Sequence, residues 1–178
     1  MDKNCESNDQ FNSPYVIKGT PRHASRFIAL QMLYQIDIAG TAVETVFQQF
    51  IEEGNESGKA NSTAGNKNRQ LKHVNLKFVE QLINGVIKAR QAINEHVKKH
   101  VLENFDRLPI ILHEILELAI FEILYIETPP PVAINEYVEI SKDFFNEEEQ
   151  AFVNGVLDSI RKDLINAKES PTSSEKVD

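Results

Sequence analysis

The stretch "DRLPIILHEILELAIFEILYIE", residues 106–127, decides the fold. Its apolar side chains fall on nearly every side at helical spacing, with no alternation of period two. A helix that is apolar almost all round cannot lie on a surface, so this stretch predicts a central helix covered by its neighbours. Downstream, "TPPPVAINEYVEISKDFF" is a Pro-rich stop and start, followed by Val132, Tyr137, Val138 and Ile140 in helical phase. A last helix should run from roughly Glu147 to Ile165, with Phe152, Val153, Val156, Leu157, Ile160 and Leu164 at helical spacing. Glu147, Glu148 and Glu149 then sit at its positive dipole end.

Upstream, a long helix from about residue 73 carries Leu76, Val79, Ile83, Val86, Ile93 and Val97 three and four apart. The first helix should begin at Thr20-Pro21, an N-cap followed by proline at the first helical position. Phe27, Leu30, Tyr34 and Ile38 share one face of it, and Gly40 ends it. Residues 41–52 read as a shorter helix with Val43, Val46, Phe47 and Phe50 on one side. No segment alternates as a strand would, so the expected fold is all-α with six or seven helices. Residues 1–19 and 166–178 read as disordered polar tails, 20–165 as a single helical domain, and 54–70 as a polar loop insertion within it.

Asn-Gly occurs inside two helical patterns, at Asn84-Gly85 and Asn154-Gly155. Gly costs a helix interior about 1 kcal/mol against Ala. Each glycine is therefore expected to let a neighbouring helix approach where a Cβ would clash.

Of the 178 residues 41% are hydrophobic, enough for a buried core. No run of apolar residues is long enough to span a membrane, and the first residues lack the apolar segment of a signal peptide, which points to the cytosol. Cys5, the only cysteine, can form neither an internal disulfide nor, alone, a zinc site. The net charge of −8 argues against wholesale nucleic-acid affinity, but it is unevenly spread. Residues 1–102 hold 13 Lys+Arg and 10 Asp+Glu, net +3, whereas residues 103–178 hold 6 and 17, net −11. Such asymmetry marks either a partner surface or merely a solvated one.

No catalytic constellation, Gly-rich phosphate loop or nucleophile elbow is visible, and no cofactor is implied. His96 and His100 are one turn apart, but no third ligand is near in sequence, so with Lys98 and Lys99 they read as a solvated helix end rather than a metal site. The candidate binding feature is "KGTPRHASRFIALQMLYQ". Arg22 and Arg26 stand four apart with His23 beside them, at a helix N-terminus that favours phosphate. A mildly basic helix start with no ligand explains the stretch equally well.

"RHASRFIALQMLYQID" (22–37), "LINGV" (82–86), "ILELAIFEILY" (115–125), "PPPVAINEYVEISKDF" (129–144) and "FVNGVLDSI" (152–160) together resemble, in order, the blocks of the bacterial transcription antitermination factor NusB family. The polar positions Asn135, Asn154 and Gly155 are the most specific, because helical patterning does not require them. The resemblance implies two small helical bundles sharing a core, with Gly85, Asn135, Asn154 and Gly155 as structural positions. It implies pairing with NusE, a small-subunit ribosomal protein, on the boxA element of ribosomal RNA leaders, and action on elongating RNA polymerase. Arg22, His23 and Arg26 would contact RNA phosphates and Phe152 would stack or pack on the RNA, although Phe152 suits the core equally. Tyr34 and Leu112 fall at the expected partner surface. The chain departs from the family pattern at Glu117, where an Arg is usual, at Phe121 for Tyr, at Leu112 for an acid and at Ala151 for Lys. The alternative is a protein–protein interaction module of this fold, or a homodimer, with little RNA affinity of its own.

Overall fold

Thr20 and Gly40 bracket the first helix, α1 (Pro21–Ala39), as the sequence predicts. The Thr20 side chain accepts from the His23 N–H at 3.2 Å, Pro21 opens the first turn, and Gly40 closes it at φ 60°, where a Cβ would be strained. The structure, a computed structural model, describes residues 20–56, 74–126 and 128–169. The remaining α-helices are α2 (Val43–Glu56), α3 (Leu76–Val101), α4 (Ile110–Tyr125), α5 (Pro130–Ser141) and α6 (Glu147–Glu169). A short 3-10 helix (Leu102–Arg107) joins α3 to α4. Among the described residues there is no strand, so the fold is all-α with six α-helices.

Within the quoted stretch Ile110–Tyr125 forms α4, whose middle turns are buried by α1, α3, α5 and α6. Ile115, Leu116, Leu118, Ala119 and Ile120 are each fully buried, and every such Leu or Ile contributes about 1.5–3 kcal/mol. Through α4 the core is continuous from Leu30 and Leu33 on α1, past Leu82, Ile83 and Val86 on α3, to Ile140 on α5 and Val153, Leu157 and Ile160 on α6.

Polar pairs fix the register. Ser25 Oγ donates to the Pro21 carbonyl (2.7 Å) and accepts from the Asn75 N–H (2.8 Å); further along, Arg90 meets Asp37. α1 and α3 therefore run in the same direction. α4 runs opposite to α3, since Gly85, Arg90 and Asn94 meet Phe121, Glu117 and His113 in turn. At the start of α6 the Asn146 side chain accepts from the Glu148 N–H (2.9 Å), and Glu147, Glu148 and Glu149 fill its first turn.

The expected tails at 1–19 and from 170 on, and residues 57–70 of the expected insertion, lie outside the described residues. Two helices run past the boundaries set from sequence. α2 continues through Gly54 to Glu56, and α6 passes residue 165 to Glu169 because Ala167, Lys168 and Glu169 are good helix formers.

The two Asn-Gly glycines differ. A Cβ on Gly85 would lie closer than 3.0 Å to Cζ, Cε1 and Cε2 of Phe121, so the α4 ring packs where only glycine fits. A Cβ on Gly155 would meet nothing within 4 Å, and Gly155 is exposed. The expectation of close packing is thus corrected for Gly155: it faces solvent, opposite the buried Val153 and Leu157. Asn135 and Asn154 are exposed as well.

Candidate nucleic-acid interface

Cap and proline hold the N-terminal turn of α1 so that Arg22, His23 and Arg26 leave it in three directions. Arg22 is exposed, and its guanidinium lies 5.2 Å from the centroid of the Phe78 ring on α3. His23 is largely covered, with Nδ1 3.0 Å from Glu136 Oε2 on α5. Arg26 is turned fully inward, at 2% exposure.

Around Arg26 the interior is a closed polar network. Its Nε donates to Glu122 Oε2 (2.9 Å) and its Nη2 to Glu122 Oε1 (2.6 Å), the paired geometry that suits guanidinium and carboxylate. Nη1 donates to Glu136 Oε2 at 3.2 Å, and the Tyr137 hydroxyl donates to Glu122 Oε2 at 3.0 Å. The rings of Phe78 and Tyr137 flank the guanidinium at 5.6 and 5.9 Å. Burial opposes the Arg26 charge, but the hydrogen bonds and charge of Glu122, with Glu136, outweigh it and raise its pKa above the ordinary arginine value. Burial, reinforced by Glu122, likewise raises the Tyr137 phenol well above its ordinary value. The expected phosphate contact at Arg26 is therefore corrected. This guanidinium is enclosed by Phe78 of α3, Glu122 of α4 and Glu136 and Tyr137 of α5, and it ties the first helix to the second half of the chain.

Tyr34, 38% exposed, and Ile38, 59% exposed, stand one turn apart on the outer face of α1 and are available to a partner. Leu112 is not. It is 2% exposed, in phase with the buried Ile115, Leu116 and Ala119 of α4, so its expected place at a partner surface is corrected to the core. Phe152 is half-buried and packs on the core cluster from its edge, which leaves part of the ring open. At the far end of α3, Asp163 of α6 pairs with Lys99 and lies 3.4 Å from His100 Nε2. Among the described residues no group of three or more His, Cys, Asp or Glu could hold a metal ion. No helix among them is long and apolar enough to cross a membrane.

Sequence reasoning missed Glu122, Glu136 and Tyr137 as the partners of α1, and Phe78 as the ring beneath Arg22. It also missed a second arginine site, partly exposed, between α1, α3 and α4. Arg90 donates from Nη1 and Nη2 to Asp37 (2.9 and 2.8 Å), and its Nη2 lies 3.1 Å from Glu117 Oε2. Glu117 thus meets an arginine from α3. One signal was available for Arg26: it lies four and seven residues before the buried Leu30 and Leu33, which puts it on their face.

This geometry defines an all-helical scaffold in which α1, α3, α5 and α6 pack on the central α4 and α2 packs on α1, with open features at the α1 start and on the α1 and α6 faces. The sequence model of the NusB family matches residues 23–162. The chain is 32% identical over 146 residues to the transcription antitermination protein NusB of Caulobacter vibrioides, covering 80% of this chain and 93% of that one. It is 35% identical over 141 residues to the Myxococcus xanthus protein of the same name, covering 78% and 93%. The chain belongs to the NusB family.

Solved structures agree on the fold. A crystal form of T. maritima NusB superposes with a TM-score of 0.63 at 24% identity, covering 82% of this chain and 93% of that one. A chain from a crystal structure of the antitermination factors NusB and NusE in complex with double-stranded RNA superposes at 0.62 and 24% identity, covering 80% and 97%.

Proposed function

We propose that this protein is an RNA-binding transcription antitermination factor that pairs with NusE, a small-subunit ribosomal protein, on the boxA RNA of ribosomal RNA leaders. In that assembly it supports processive transcription by elongating RNA polymerase, in the cytosol. The observation that carries the reading is the family match over residues 23–162, which reaches into every α-helix of the described fold. The mechanism is coupled binding, with no chemical step. Arg22 offers a phosphate contact at the α1 N-terminus, His23 stands beside it, and the open edge of Phe152 offers a base-packing surface. The exposed pair Tyr34 and Ile38 supplies apolar area for the protein partner.

Two observations favour a second reading, a protein–protein module or homodimer with little RNA affinity. The net charge is −8, and Arg26 is spent inside the fold. A salt-titrated RNA-binding assay, with and without the cognate NusE, separates the two. Weak binding with a shallow salt slope is expected for the protein alone, with marked strengthening by NusE. Arg22→Ala in the assembled complex should flatten the log–log slope by about 0.7, the value for one phosphate contact on a single strand. A folded protein with no preference for boxA even with NusE present would overturn the RNA reading. Self-association seen by sedimentation would then favour the homodimer.

A further inference from the structure

The second arginine site, around Arg90, has one carboxylate too many. Asp37 of α1 and Glu117 of α4 share the guanidinium of Arg90 from α3, at 2.8–3.1 Å. Glu114 lies one turn before Glu117 on α4 and is 1% exposed. Neither of its carboxylate oxygens has a hydrogen-bond partner among the described residues. Facing it are Asp37 from α1, Arg90 from α3 and Glu117 from its own helix. His113 is the other titratable group at the rim. Its Nε2 is 2.8 Å from Asn94 Oδ1 and 3.8 Å from Glu117 Oε1, and burial, with Arg90 and Lys98 nearby, lowers its pKa. At pH 7 His113 is therefore neutral and supplies no second cation. The Arg26 network lies two turns further along α4, toward α5. Asp37 and Arg90 keep 21% and 33% of their side chains exposed, but Glu114 and Glu117 are both buried, and one guanidinium cannot compensate all three carboxylates if Glu114 is ionised too.

We propose that Glu114 holds a proton in the folded protein and that this proton is a latch, securing the C-terminal half of α1 against α3 and α4. Protonated, Glu114 adds no charge beside Asp37, and the Asp37–Arg90 pair keeps the last turns of α1 docked. Ionised, it repels Asp37 and Glu117 together. Relief comes by loosening the α1 end, which carries the exposed Tyr34 and Ile38. In agreement, burial and the charges of Asp37 and Glu117 push Glu114 up to about 8, and burial pushes Glu117 up to about 7.

The sign follows from proton counts. Between the ordinary glutamate value of 4.5 and about 8 the folded chain holds a proton on Glu114 that the unfolded chain has released, so stability falls as pH rises through that window and levels off above it. The test uses the full chain, wild type and Glu114→Gln, where the amide mimics the neutral acid. Thermal and denaturant melts from pH 5 to 9 should agree at pH 5. The unfolding constant of wild type relative to the variant should then rise about tenfold per pH unit until about pH 8. Carbon-13 NMR of the side-chain carboxyl in wild type gives the protonation state directly, whether or not the variant folds. A Glu114 midpoint well above 6 supports the latch. A midpoint near 4.5, or parallel stability curves for the two proteins, overturns it. A low midpoint with melting raised by sodium or potassium over choline at equal ionic strength would put a bound cation in place of the proton, and the latch would again fail.

Discussion

Gly85 and Gly155 stand in the same Asn-Gly-Val context, so replacing each by alanine isolates the effect of surroundings. The helix-propensity gain is common to both, at about 1 kcal/mol. At Gly155 nothing opposes it, because an added methyl meets no atom within 4 Å. Gly155→Ala should therefore stabilise by up to about 1 kcal/mol. At Gly85 the methyl would press into three carbons of the Phe121 ring, closer than 3.0 Å. That ring is 7% exposed and stacked on Tyr125 at 5.2 Å, so it cannot swing aside without giving up its own packing. Overpacking of this kind costs about 1–3 kcal/mol, so the net change should be a loss of roughly 0–2 kcal/mol. The two variants should then differ by roughly 1–3 kcal/mol in urea melts despite identical chemistry.

A double-mutant cycle locates the cause. Phe121→Ala should itself cost about 3–5 kcal/mol, but in its background Gly85→Ala should turn stabilising, because the ring it collided with has gone. The coupling should be about 1–3 kcal/mol and favourable. A Gly85→Ala change that stabilises the wild type as much as Gly155→Ala, with no coupling to Phe121, would refute the packing argument.

Arg26→Ala should cost about 3–5 kcal/mol in denaturant melts, because it leaves the fully buried Glu122 without its cation; a loss below about 1 kcal/mol would mean the guanidinium is not committed to the interior. Phe152→Ala should cost about half of a full core truncation, roughly 2 kcal/mol, since the ring is only partly covered. In the NusE-containing complex the same variant should weaken RNA binding by about 1–3 kcal/mol with an unchanged salt slope. Unchanged RNA affinity in a folded variant would assign Phe152 to packing alone.

Periodicity and capping carried much of the fold. The all-round apolar pattern of 110–125 marked the buried helix, and Thr20, Pro21 and Gly40 marked both ends of α1. The same periodicity, applied residue by residue, would also have told the two glycines apart. Gly155 is two residues from both Val153 and Leu157, roughly half a turn away from their buried face, whereas Gly85 is three from the buried Leu82. Leu112 was misplaced because a family position was read without its phase: three, four and seven residues on stand the buried Ile115, Leu116 and Ala119. What no local reading could supply are the pairings of Arg26 with Glu122, 96 residues away, and of Arg90 with Asp37, 53 away. A charged residue on a buried face says only that it needs a partner; the packing of α1, α3, α4 and α5 chooses which one.

That choice bears on the proposed RNA binding. Arg26, in the interior, is held by Glu122 and Glu136, and the part-exposed Arg90 by Asp37 and Glu117. Neither guanidinium is free to meet a phosphate, so of the two arginines at the start of α1 only Arg22 points outward. One exposed arginine at the start of α1, on a chain of net charge −8, gives little counterion release and little long-range attraction there. If RNA is the ligand, affinity has to come from surface that the protein partner adds to the same site, and the salt slope of the assembly should belong mostly to NusE. Arg26 contributes at one remove: by holding α1 against α4 and α5 it fixes where Arg22 and the Phe78 ring beneath it stand. Its loss should therefore lower RNA affinity and stability together, whereas Arg22→Ala should lower affinity with stability unchanged.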